Sequence, residues 1–215
     1  MTVRPLMLDD IADQRAYERQ RDAFRREVIA AKRLRRVSVG PIVTLTFENR
    51  LTMRFQVQEM ARAEKLTTDA QIQHELDVYN HLLPAEGELS ATLFLELTTE
   101  EELRTWLPRL VGIEHSVVLE IGVGPGRLQV RSVPEATHGS QLTRHDATSA
   151  VHYVRFPCTP EEVAAFATGP VRLVVDHREY PDGRPGVVLS EATRVEFSRD
   201  LTGERPATDR RTTGD

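Results

Sequence analysis

The apolar positions of this chain change their spacing several times, and each change marks an element. Between residues 9 and 36 the period is helical: Tyr17, Phe24, Val28 and Ala31 share one stripe, and Asp9 or Asp10 supplies the N-cap. This helix ends in KRLRR, whose cations complement the negative end of the helix dipole and are expected to stay solvated. Gly40-Pro41 breaks the chain, and IVTLTF at 42–47 alternates as a strand does. Residues 48–65 fit two patterns. Leu51, Met53, Phe55 and Val57 alternate like the second strand of a hairpin, whereas Met53, Val57 and Met60 share a helical face with Thr52 as cap. The strong helix formers of QEMARAEK decide for the helix.

Residues 67–84 form a clearer helix, with a Thr68 or Asp69 cap, a stripe of Ile72, Leu76, Tyr79 and Leu83, and Pro84 as its stop. A strand at 88–97 and a short capped helix at 98–110 follow. Residues 116–122 and 127–133 pair as a hairpin, and 134–148 form a polar, mobile loop. SAVHYVRF is a strand. A helix capped by Thr159 and stopped by Gly169 comes next, then the strand VRLVVDH, the turn YPDGRPG and a final helix, LSEATRVEFSRDL. Adjacent strands with scattered helices predict an α+β fold: a mixed, mainly antiparallel sheet packed against several helices, with a long N-terminal helix. Residues 1–201 make one such domain, with 9–36 as an extension of it, and 202–215 a disordered tail.

Composition narrows the function classes. The 215 residues carry a formal net charge of −5, which argues against a general nucleic-acid binder. Only Lys32 and Lys65 among the 28 basic residues are lysine, a bias that fits a GC-rich genome. A single cysteine, Cys158, excludes an internal disulfide framework and any cysteine-ligated cluster made by one chain. The first residues carry acids where a signal peptide would be apolar, and no run approaches the roughly 18 apolar residues of a membrane span. A cytoplasmic protein without a membrane partner is the expectation.

The stretch VVLEIGVGPGRLQV resembles the opening loop of an S-adenosylmethionine-dependent methyltransferase. Such a loop needs a helix directly after its glycines, to present free N–H groups to the ligand. Here Leu128, Val130 and Val133 continue as a strand and Pro134 ends it, so Gly122, Gly124 and Gly126 fit a hairpin turn better.

The histidines and acids offer a metal-dependent enzyme as the alternative. His74 and His81 are seven residues apart, about 10 Å along a helix, so they cannot share one ion. Glu59, His74 and Glu75 could supply a transition-metal site only if a second element, such as the strands of His152 and His177, covered them. Glu59, Arg62, Glu64, Glu75 and Arg50 lie densely on two helices expected to pack antiparallel, where an ion-pair network competes with a carboxylate site. None of the candidate nucleophiles stands out: Ser90 lies inside an apolar strand, Ser149 begins one, and Cys158 has no activating neighbour in the sequence.

The segments YERQRDAFRREVIAAKRLRRVSVGPIVTLTFENRLTMRFQVQEMARAEK and IQHELDVYNHLLPAEGELSATLFLEL, with SAVHYVRF and VVDHREY later, resemble the bacterial family of domain of unknown function 3501. The likeness spans roughly residues 10–201. It implies an accessory role in redox or peroxide handling, because such proteins are often encoded beside an iron–sulfur oxidoreductase of heterodisulfide-reductase type and a rubrerythrin-like protein. The residues singled out in its polar motifs are Asn49, Arg50, Gln56, Glu59, Arg62, Tyr79 and Asn80 for binding, with His74 and Glu75. A homo-oligomer is compatible with all of this.

Overall fold

Two antiparallel sheets face each other across one apolar layer, and a layer of helices covers the far side of the first sheet. The computed structural model describes residues 4–136 and 147–203. In the first sheet the order is β1 (Arg36–Val39), β2 (Val43–Glu48), β3 (Glu88–Leu95), β7 (Val151–Pro157), β6 (Val133–Pro134). In the second it is β5 (Leu128–Arg131), β4 (Val117–Ile121), β8 (Val171–Val175), β9 (Gly186–Val188). The helices are α1 (Gln14–Arg35), α2 (Arg50–Ala63), α3 (Asp69–Asn80), α4 (Glu100–Trp106), α5 (Pro160–Thr168) and α6 (Glu191–Thr202), with 3-10 turns at Leu8–Asp10 and Ile113–His115. The α+β class and the long N-terminal helix agree with the sequence. No helix among the described residues is long and apolar enough to cross a membrane.

Strand alternation builds the main core. Val43, Leu45 and Phe47 of β2, with Leu89, Ala91, Leu93 and Leu95 of β3, meet Val117, Leu119 and Ile121 of β4 and Val171, Leu173 and Val175 of β8. Phe166 of α5 and Phe197 of α6 close this layer, and the Phe197 ring lies 4.3 Å from that of Phe47. Burying one such side chain is worth roughly 1.5–3 kcal/mol, and truncating it to alanine costs about 3–5 kcal/mol. On the opposite face of the first sheet Thr44, Thr46, Glu48, Ser90 and Thr92 are buried as well, because helices lie over them. There Leu6, Met53, Val57, Leu76, Leu82 and Leu83 join α2 and α3 to the N-terminal segment, while Tyr17, Phe24 and Val28 join α1 to Leu51 and Phe55 of α2.

A tyrosine ties the sheets together at one end. Tyr180, in the β8–β9 loop, donates to Val39 O (2.8 Å) and accepts from the N–H groups of Ile42 and Val43 (3.1 Å each), so it fills the turn between β1 and β2. Gly40 makes that fit possible. It has φ +64°, and a Cβ there would lie 2.8 Å from Tyr180 Cε1.

The structure corrects the sequence in several places. Helix α1 begins at Gln14, not at residue 9, because Asp13 rather than Asp9 or Asp10 accepts from Ala16 N and caps it. Residues 36–39 are a strand, paired with β2, not the end of the helix. Asn49, not Thr52, caps α2: the Asn49 side chain accepts from Thr52 N while the Thr52 hydroxyl accepts from Asn49 N. Helix α3 stops at Asn80, short of Pro84, and α4 stops at Trp106. The strand β9 and the separation into two sheets were not foreseen. The expected hairpin is β4–β5, and its turn holds Gly122 and Gly124 at positive φ with a strand, not a helix, after it. Most of the expected polar loop, residues 137–146, and the expected tail beyond 203 lie outside the described residues.

Candidate functional site

The polar motif residues of α2 and α3 spend their hydrogen bonds inside the chain. Glu59 accepts from the Tyr17 hydroxyl (2.5 Å) and, in a fork, from Arg21 Nε and Nη2 (2.8 Å each). The Arg21 guanidinium outweighs partial burial and holds the Glu59 carboxyl down to about 2; burial and the Glu59 charge push the Tyr17 hydroxyl up. Arg62 donates to Glu18 (2.7 Å), which adds a second tie between α2 and α1. Arg50 donates to Asp10 (2.6 Å) and to Arg4 O (3.3 Å). Asn80 grips Leu6 from both sides, accepting from its N–H (2.8 Å) and donating to its carbonyl (3.0 Å). Gln58 does the same to Ala12, at 2.9 and 2.8 Å. Together with the Asn49 cap, these residues clamp the N-terminal segment and α1 onto the α2–α3 pair. Beside the clamp lies a groove of about 370 Å³, lined by Ile11, Ala12, Tyr17, Arg62, Leu66 and Ile72 among others.

A different subset converges beneath α3. Gln56 bonds the Tyr79 hydroxyl, and Tyr79 lies close enough to Glu75, Glu64 and Tyr153 for their charges to act on one another. Burial raises the pKa of Glu75, and the nearby Glu64 adds to the rise while His74 offsets it. Below them Glu48, only 5% exposed, accepts from Thr92 through Oε1 (2.8 Å), and its Oε2 has no hydrogen-bond partner among the described residues. The sequence did not single out Glu48 or Tyr153. Their signal was present as polar residues at the outward positions of strands whose two faces are both covered, which only the tertiary structure reveals.

The histidines go elsewhere. His74 is exposed on α3. His152 is buried on β7, where Nε2 lies 2.9 Å from Ser149 O and 2.8 Å from the Thr148 hydroxyl. Burial lowers its pKa, and the charge of Glu114 opposes that. His177 donates from Nε2 to Val111 O (3.0 Å) and accepts at Nδ1 from Glu179 N (3.2 Å), so both ring nitrogens hold a turn. Among the described residues no three His, Cys, Asp or Glu side chains come together as a metal group, so Glu59, His74, Glu75, His152 and His177 are not one ligand set. Cys158 is partly buried, and burial together with the charges of Glu162 and Glu88 pushes its thiol up to about 12, far from a thiolate nucleophile.

Two concentrations of arginine lie outside the polar motifs, the first contiguous in sequence and the second assembled only by the fold. Helix α1 holds eight basic residues against three acidic ones, a charge of +5 in a chain of −5 overall. Arg35 is fully buried, but Arg15, Arg19, Arg25, Arg26 and Arg33 are exposed. The second concentration is on the outer face of the second sheet, where Arg127, Arg172 and Arg184 surround Glu120.

A family model described as "Protein of unknown function (DUF3501)" matches residues 5–201. The chain belongs to this family. DUF3501 thus accounts for both sheets and for all six described helices up to the last turn of α6. The chain is also similar to a crystal structure from Burkholderia pseudomallei K96243, described as a novel protein of unknown function. The two share 33% sequence identity with a TM-score of 0.82, and the match covers 92% of this chain and 100% of that one. No curated protein matches the chain. The family and its neighbour therefore support the fold and leave the activity to the site's own chemistry.

Proposed function

We propose that this protein is an accessory subunit that docks a partner protein, and that α1 is the docking element. The observation that carries this reading is the clamp. Arg50, Gln58, Glu59, Arg62 and Asn80 are committed to holding α1 and the segment before it. What they hold is a rigid 22-residue helix with one face buried through Tyr17, Phe24 and Val28 and with arginines along its open face. Arg15, Arg19, Arg26 and Arg33 follow one another at intervals of four, seven and seven residues, a line about 27 Å long that includes Ile29. A preorganised cationic line favours an acidic partner surface, chiefly through association rate and orientation.

The family resemblance suggests which partners to try: an iron–sulfur oxidoreductase of heterodisulfide-reductase type and a rubrerythrin-like protein. The test is binding of each purified protein to the full chain and to a variant carrying Arg19→Glu, Arg26→Glu and Arg33→Glu. Binding that weakens with added salt and falls roughly tenfold or more in the variant supports the reading. If neither protein binds, or the variant binds as well as the native chain, the reading is wrong.

A further inference from the structure

The outer face of the second sheet carries charge that the fold does not neutralise. Strand register sets Glu120 of β4 between Gln129 of β5 and Arg172 of β8, all directed away from the apolar layer. Glu120 is 4% exposed. Arg184 Nη2 reaches it at 2.9 Å, Arg127 Nε at 3.1 Å, Gln129 Nε2 at 3.3 Å and Arg172 Nη1 at 3.7 Å. Next to it Asp176 pairs with Arg131 Nη2 (2.8 Å) and Arg184 Nε (3.2 Å). Four guanidinium groups thus share two carboxylates, which leaves two positive charges uncompensated within the cluster.

The arrangement is built rather than accidental. Three guanidinium groups repel one another, and a single buried carboxylate holds them at one place. Each guanidinium has five N–H donors, and Glu120 takes one from Arg184 and one from Arg127, while Arg172 at 3.7 Å is an ion pair and not a hydrogen bond. Arg127 also donates to Gly124 O (3.2 Å) and Arg184 to Asp176 (3.2 Å), yet the side chains of Arg127, Arg172 and Arg184 are still 37%, 42% and 37% exposed, so an outside ligand can reach them. Arg172 is fixed in position because its guanidinium lies against Gly186: a Cβ there would come within 2.6 Å of Nε. Any side chain at 186 would push Arg172 off this seat.

We propose that this cluster is an oxyanion site that takes a phosphate group, either free or as a small phosphate ester, with Arg172 and Arg184 as its principal contacts. A tetrahedral dianion cancels the surplus charge of two and offers oxygens spaced for the guanidinium fork. Glu120 is the positioning residue: it orients the arginines and is itself too buried to meet the ligand. This site lies apart from α1 and does not rest on the docking role.

The experiment is calorimetric titration of the full chain in chloride buffer with inorganic phosphate, pyrophosphate and phenyl phosphate, each at matched ionic strength. Saturable binding of at least one probe is expected. Arg172→Gln and Arg184→Gln should each weaken it about tenfold or more, the scale of losing one charge-assisted contact. Arg172→Lys keeps the charge without the fork and should lie between. Arg104→Gln, remote in sequence and 78% exposed, should leave binding as it is. Preference for phenyl phosphate identifies an ester as the ligand, and equal or tighter binding of inorganic phosphate identifies the free ion. Heats no larger than those of added chloride, or equal binding in the folded Arg172→Gln/Arg184→Gln double variant, would overturn the proposal.

Discussion

Replacing Arg35 by methionine tests the physical account of how α1 is fixed to the rest of the molecule. The Arg35 side chain is wholly buried, and its hydrogen bonds join α1 to both β2 and α6. Its Nε donates to Phe47 O (2.8 Å) and its Nη2 to Glu48 O (3.2 Å). Its other donors reach Glu196 (3.0 Å) and Asp200, and its carbon Cζ lies 5.7 Å from the centre of the Phe197 ring. Methionine restores most of the volume but none of the donors. It leaves the Asp200 carboxyl buried without its cation, and breaking a buried pair from one side costs about 3–5 kcal/mol. Protonation of Asp200 limits the loss from above, so roughly 3–4 kcal/mol is expected at neutral pH. With a urea m-value of about 2–3 kcal/mol/M, the unfolding midpoint should fall by roughly 1–2 M. Unfolding followed by far-ultraviolet circular dichroism measures it. Adding Asp200→Leu to Arg35→Met removes the stranded carboxyl and should recover part of the loss. A single-variant loss below about 1 kcal/mol, or a double variant no more stable than the single one, would refute the reasoning.

Three further outcomes follow from neighbouring groups. Asp200 has its carboxyl raised to about 6 from 3.8, because burial outweighs the attraction of Arg35. A raised folded-state pKa gives stability that is complete below 3.8 and lost as pH rises through about 6, so Asp200→Asn should flatten a decline in melting temperature across that window; an unchanged slope would exclude it as the source. Glu59 has the opposite sign, with stability present above 4.5 and lost as pH falls towards about 2. Glu59→Gln should cost about 1 kcal/mol at neutral pH, discounted for solvent screening, and should remove that acid limb from a pH titration of unfolding. A variant with the limb intact would contradict the assignment. Tyr180→Phe strips the partner from the Ile42 and Val43 amides and should cost about 2 kcal/mol, with faster hydrogen exchange at those two residues. Unchanged protection there would show that the turn does not depend on the hydroxyl.

What the sequence disclosed was local. The stripes of Tyr17, Phe24 and Val28 and of Ile72, Leu76, Tyr79 and Leu83 are buried or half-buried as their spacing implies, because helical periodicity needs only near neighbours. The partition into two sheets was invisible, since β3 pairs with β7 across a gap of more than fifty residues and nothing in either strand names the other. Strand β1 was hidden for a different reason. It starts directly where α1 stops, with no turn residue between Arg35 and Arg36. Arg35 itself was misjudged by residue type. It stands seven positions after Val28, on the continuation of the buried stripe, yet as one arginine in KRLRR it reads as solvated. Position on the stripe was the better guide than charge.

The same distinction governs the candidate sites. The polar motifs of α2 and α3 attracted notice because they are dense, yet density on two adjacent helices is what a clamp also requires, and Glu59, Arg62 and Asn80 each end on a partner within this chain. The arginines around Glu120 are scattered over three separate stretches, at Arg127, Arg172 and Arg184, so no short window of sequence contains them together. Their surplus charge becomes apparent only when strand register sets Glu120 beside Arg172 and the β8–β9 loop brings Arg184 back over both. Polar groups that satisfy one another stabilise the fold, whereas like charges held close together with donors to spare are poised for an outside ligand. By that criterion the outer face of the second sheet, more than the motif-bearing helices, is where a small ligand should be sought.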